Sequence, residues 1–297
     1  MIRMLSLLFV AALPAVAQKT VALKERGAFI FKEIIALPWA ESWKKATLAD
    51  PRLIKQKEDL AQPTNLPPVW YAAINGPEGK TGYLMWESSG EGRLMEFALD
   101  DPKQDAKAIS DIPTIQQFAL PDAKGGLIAS GCVPTSAASL LAFWINQKKQ
   151  AKPDLQKLTL TLRKQLRMFR FPDTDGFTKN GMALAGALPH SMAKALNQEV
   201  QSRKLELTVR HLRFSMKHFR GEIEAGRPTL LSCTVRVPHK PHLSWGHAVV
   251  GVAATQIDGV NLVGIHDNFY PTNNPWTIRW IRSDDFRSLT EVKPNEE

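Results

Sequence analysis

Apolar positions recur with a helical period at Phe29, Ile30, Ile34, Ile35, Trp39 and Trp43. They predict a mainly helical stretch over residues 18–66, closed by Pro63, Pro67 and Pro68. Short β-type runs follow at 69–74, 82–86 and 94–99, separated by the turn clusters Asn75-Gly76-Pro77 and Ser88-Ser89-Gly90, and read as a meander. The polar stretch 100–105 suggests a boundary. Beyond it, 134–147 is apolar nearly all round, the pattern of a helix buried in the middle of a domain. Helices are expected at 155–168, 181–196 and 216–224, the last stopped by Gly226-Arg227-Pro228. Strands are expected at 229–237, 247–254 and 260–266, the last two joined by the hairpin signal Asp258-Gly259. Helices followed by an antiparallel sheet make the fold class α+β.

The chain has 297 residues, 44% of them hydrophobic, enough to bury a sizeable core and too many for a disordered or collagen-like chain. Arg3, the apolar run 5–13 and the small-x-small site Ala15-Val16-Ala17 before Gln18 form a signal-peptide pattern too short to span a bilayer. The expected organisation is a signal peptide at 1–17, an accessory or pro-like region at 18–105, a domain carrying the chemistry at 106–292 and a tail at 293–297. The mature protein is then exported, periplasmic or secreted, with no integral membrane segment. The net charge of +9 is scattered and lacks interleaved aromatics, so no nucleic-acid partner is expected. The first hundred residues contain neither cysteine nor histidine.

Candidate chemistry gathers around Gly131-Cys132-Val133-Pro134, which opens the buried helix. The partial positive charge and unpaired amides of a helix start favour an anionic nucleophile there. A thiolate needs a proton shuttle, and His247, in Trp245-Gly246-His247 at the start of an apolar strand, is the candidate. The shuttle needs an orienting group, and the hairpin returns Asp267-Asn268 beside His247. With a strict two-residue turn, His247 faces Tyr270 and Asn268 shares its face. A bulge or a three-residue turn reverses the parity in favour of Asp267.

Gly-Cys-x-Pro-Thr-Ser-Ala-Ala, then Gly-His-Ala-Val-Val, then Ile-His-Asp-Asn-Phe resembles a papain-like cysteine peptidase, nearest its C39-like bacterial branch. His247 lies 115 residues and Asp267 135 residues after Cys132, close to the roughly 130–150 residues that separate the cysteine from its partners in papain-type enzymes. The resemblance implies a papain-like fold acting on a peptide or protein substrate without metal or organic cofactor. Cys132 becomes the nucleophile, His247 the base, Asp267 the orienter (Asn268 the alternative) and Phe269 an aromatic lid, with Gly131, Trp245 and Gly246 against the substrate. The family's oxyanion glutamine falls on Gly126 here, which leaves the Cys132 backbone amide with Ser130 or Gln117, while Gln116 lies as far upstream. Thiol acyl transfer or amidase chemistry is an alternative on the same fold.

Blander readings exist. Cys132 and Cys233 are the only cysteines and would make one disulfide, locking an inactive binding module. His239, His242, His247 and His266 with Cys233 or Asp267 match no common zinc spacing. His190 and His211 read as surface residues.

Overall fold

The computed structural model describes residues 15–54, 67–100, 108–123, 125–170, 183–237, 240–269 and 278–295. The chain begins with α1 (Ala15–Ile35) and a 3-10 turn (Pro38–Trp43). Five strands follow: β1 (Thr47–Leu48), β2 (Arg52–Ile54), β3 (Val69–Asn75), β4 (Thr81–Glu87) and β5 (Leu94–Leu99). A small hairpin, β6 (Ala119–Pro121) and β7 (Leu127–Ala129), leads into α2 (Cys132–Gln147) and α3 (Leu155–Gln165). Next come β8 (Phe169–Arg170), β9 (Ala185–Gly186), α4 (Pro189–Ser202), β10 (Leu207–Arg213) and α5 (Met216–Glu224). The remaining strands are β11 (Thr229–Val237), β12 (Lys240–Ile257), β13 (Val260–His266), β14 (Ile278–Arg282) and β15 (Phe286–Pro294).

The architecture is mixed α and β, built on one antiparallel sheet in the order β1-β3-β4-β5-β14-β13-β12-β11-β15-β10, with β2 also on β3. The N-terminal meander is part of this sheet: β5 pairs with β14 through Arg279↔Ala98, Trp280↔Phe97 and Ile281↔Glu96. No sheet boundary therefore falls between the first hundred residues and the rest. The two faces bury different cores, as alternation along a strand requires. Leu230, Ala248 and Val250 join α2 and much of the N-terminal region in the larger core. Leu231, Cys233, Val235 and Val249 pack with Phe219 and Ile223 of α5. The α2 helix is buried at every position from Val133 to Ile145, which explains its all-apolar pattern.

Several expectations need correcting. The helix over 18–66 ends at Ile35, because Pro38 disfavours the helical conformation in the residue before it and starts a separate turn; residues 55–66 lie outside the description. The helix expected at 181–196 starts at Pro189, preceded by β9. The expectation lacks strands β10, β14 and β15, and β15 takes in the first two residues of the expected tail, Lys293 and Pro294. In β14 every residue of 278–281 is buried, Arg279 included, so no alternation marks it. The apolar N-terminal run at 1–14 lies outside the described residues; among those described, no helix is long and apolar enough to cross a membrane.

Candidate active site

Gly131 turns the chain into α2 with φ of 97°, a left-handed conformation that favours glycine. A Cβ there would lie 2.7 Å from the Met168 side chain, so this glycine serves the turn and its packing rather than room for substrate. The next residue, Cys132, is half-buried and lines a cleft of about 260 Å³ together with Val133, Gly246 and His247. Pro134 has no N–H, and among the described residues the amides of Cys132 and Val133 have no acceptor, leaving two orphan donors at the helix start.

His247 is buried on β12. Its Nε2 lies 2.9 Å from Asp267 Oδ1, and its Nδ1, on the other side of the ring, has no hydrogen-bond partner. Cys132 is near enough to act on the imidazole. Burial alone would lower the His247 pKa; the Asp267 carboxylate, then Cys132, overcome this and push it up to about 9. Burial would likewise raise Asp267, but His247, Arg279 and the Phe269 amide hold its carboxyl well below the usual range.

A β-bulge decides the choice between Asp267 and Asn268. From the hairpin, Ile257 pairs with Val260 and the register runs regularly to Ala253↔Gly264. It then slips by one residue, resuming at Gly251↔Ile265 and Val250↔His266. Val252 is the extra residue, and its carbonyl accepts from the Ile109 amide at 2.9 Å. Val252 and Ala253 accordingly face the same core although they are neighbours in sequence. The slip puts Asp267 on the His247 face. Asn268 instead braces the site: its Nδ2 donates to the Cys132 carbonyl (3.2 Å), to Ser136 Oγ and to the Ala248 carbonyl (2.9 Å), tying the start of α2 to β12.

Two expected oxyanion donors are engaged elsewhere. Ser130 is fully buried, and its hydroxyl meets the Phe118 amide at 3.2 Å and Thr135 Oγ1 at 3.0 Å. Gln117 donates to Asn268 Oδ1 at 2.7 Å, and Gln116 donates to the Asp267 carbonyl at 3.1 Å. The Gln116-Gln117 segment thus positions the loop carrying Asp267. Trp245 stacks on the imidazole, with centroids 5.0 Å apart, and meets Phe269 edge-on at 4.3 Å, so the two rings flank the histidine. Gly246 is exposed, with open space where a Cβ would be.

No local pattern in the chain marks the groups behind Asp267. Arg279 donates to Asp267 Oδ2 at 2.6 Å, to Glu96 Oε1 at 2.7 Å and to the Arg236 carbonyl at 2.6 Å. Glu96, on β5, also accepts from the Tyr83 hydroxyl. A buried row therefore runs from the N-terminal meander through Arg279 and Asp267 to His247.

A scan of family models and a search of curated proteins each return no match to the chain.

Cys132 and Cys233 are both free thiols. Cys233 lies opposite His247 on the neighbouring strand, and burial raises its pKa well above the ordinary thiol value. Of the histidines weighed as a metal group, His239 and the His242 side chain lie outside the described residues. The cluster with metal-binding spacing among those described is His218, Glu222 and Glu291. None of the three lines the cleft, and Arg227 grips Glu222 at 2.7 and 2.8 Å. His190 is exposed; His211 is half-buried and bonded to Thr290 at 2.9 Å.

Proposed function

We propose that this chain is a papain-like thiol hydrolase that cleaves peptide bonds, exported to the periplasm or beyond by its N-terminal segment. The observation that carries the reading is the pairing, in one cleft, of a thiol at a helix start with an imidazole whose far nitrogen is held by an ionised carboxylate. The Cys132 sulfur attacks the scissile carbonyl carbon, forming an S–C bond while the carbonyl π pair moves to oxygen. The Cys132 and Val133 amides receive the developing oxyanion. The His247 imidazolium gives its proton to the departing amine as the C–N bond breaks, leaving a thioester. Water then attacks the thioester, passes a proton to His247 and releases the acid and the Cys132 thiolate. Asp267 keeps the ring oriented with Nδ1 toward the sulfur.

The test is alkylation by iodoacetamide mapped by mass spectrometry, alongside cleavage of an unstructured protein substrate. The expected result is rapid labelling of Cys132 at about pH 6, where a free thiol with a value near 8.5 reacts slowly. Cys233 stays unlabelled in the native protein. Cleavage is lost in Cys132→Ser and His247→Ala, and His247→Ala also slows the labelling at pH 6. A Cys132 that reacts no faster than free cysteine, or labels only after a reductant is added, overturns the proposal.

A further inference from the structure

The cleft beside the catalytic pair has a definite polarity. One wall comes from β8, β9 and the start of α4, where Phe169 and Leu188 are 40% and 53% exposed and Met192 packs behind them. These are large apolar side chains left open to solvent beside a nucleophile. Against β11 the lining turns polar with Ser232 and Thr234, and it ends at Arg287 of β15. No aspartate or glutamate is among the described residues that line the cleft. The Arg287 side chain is exposed, and its guanidinium has no hydrogen bond or ion pair with any described residue; its backbone carbonyl accepts from the Phe214 amide at 3.1 Å. Asp284 borders a neighbouring depression that Arg287 also touches, without bridging to it.

Most other arginines near the site have assigned work: Arg163 caps the carbonyls of Ala129 and Ser130, Arg279 holds Asp267, and Arg282 pairs with Glu87 and Asp285. Arg287 presents an unoccupied planar fork of donors, the geometry that takes a carboxylate through two parallel hydrogen bonds. We propose that Arg287 determines specificity, selecting peptides that carry a carboxylate within a few residues of the scissile bond and a bulky apolar side chain for the Phe169–Leu188 wall. The carboxylate is either an acidic side chain or a free C-terminus. The proposal rests on the thiol-hydrolase reading and adds the substrate class to it.

The test compares alkylation of Cys132 by iodoacetate and by iodoacetamide, which differ in a carboxylate, in the wild type, Arg287→Ala and Arg287→Glu. Arg287 is exposed and outside the catalytic pair, so both variants keep the fold. His247 biases the ratio equally in all three, and the change between variants reads Arg287. The iodoacetate-to-iodoacetamide ratio is expected to fall about fivefold in Arg287→Ala, as suits an exposed ion pair, and further in Arg287→Glu. An unchanged ratio overturns the role of Arg287 while leaving a reactive Cys132 in place; a Cys132 inert to both reagents overturns the hydrolase reading as well. Matched peptides then separate the two sources. Preference for Glu over Gln with an amidated end assigns a side chain, and preference for a free over an amidated end assigns a C-terminus, each lost in Arg287→Ala. Equal cleavage of acidic and neutral peptides overturns the proposal.

Discussion

Replacing Glu96 by glutamine removes one charge and almost no volume from the buried row Glu96–Arg279–Asp267–His247. With the imidazole protonated, the two carboxylates and two cations of this row sum to zero; Glu96→Gln leaves it at +1 unless His247 gives up its proton. The three hydrogen bonds of 2.7, 2.6 and 2.9 Å put Glu96 and the ring at opposite ends of the row. At roughly 10 Å and an effective dielectric constant of about 20, a unit charge is worth about 1.7 kcal/mol. That corresponds to a fall of about one pH unit in the His247 titration. His247, held near 9 in the native protein, is therefore expected to titrate near 8 in Glu96→Gln. The measurement is NMR titration of ring-labelled histidine, with the alkaline limb of kcat/KM for peptide cleavage as a second readout. Loss of the imidazolium proton donor should bring that limb down by the same amount. A folded Glu96→Gln protein whose His247 titration and alkaline limb stay where they were would refute the reasoning. Glu96→Ala is the harsher control: it leaves Arg279 buried with one partner fewer and costs about 3–5 kcal/mol of stability.

Stability should fall on both sides of neutrality for two different histidines. His266, held near 4 by burial, is neutral in the fold, so its contribution is present above 6.5 and about 3 kcal/mol is lost as pH falls from 6.5 toward 4. The raised pKa of His247 works in the opposite direction, its contribution being full below 6.5 and lost as pH rises through about 9; urea unfolding from pH 4 to 10 checks both, and His266→Gln should remove only the acid-side loss. Asn268→Ala strips the amide whose two N–H groups are shared among the Cys132 carbonyl, Ser136 Oγ and the Ala248 carbonyl, and should cost about 2–4 kcal/mol. It should also lower kcat without moving the His247 titration, which an orienting role would shift. Gly131→Ala forces a left-handed alanine against Met168 and should cost about 1–3 kcal/mol in thermal unfolding, with slower alkylation of Cys132.

The three residues of the candidate triad were legible because each has a local signature. Cysteine at the mouth of an all-apolar helix, histidine at the start of an apolar strand segment and aspartate just past the next strand are short-range patterns that survive in a linear sequence. The choice between Asp267 and Asn268 was not legible. It turns on the bulge at Val252, and the small apolar residues of 248–253 fit either face of a strand, so nothing there marks which one is extra. The roles of Ser130 and Gln117 were equally hidden, since what a buried hydroxyl or amide bonds to depends on what packs over it.

By itself the sequence determined the buried helix, the hairpin, the strand before it and the candidate cysteine and histidine, because period, turn chemistry and capping act over a few residues. Only the tertiary structure decided that the meander is continuous with the rest of the sheet and that Glu96, 183 residues from Arg279, stands behind His247. A charge enters a buried row only when paired, and pairing between distant strands is set by the register of the whole sheet rather than by any stretch of chain.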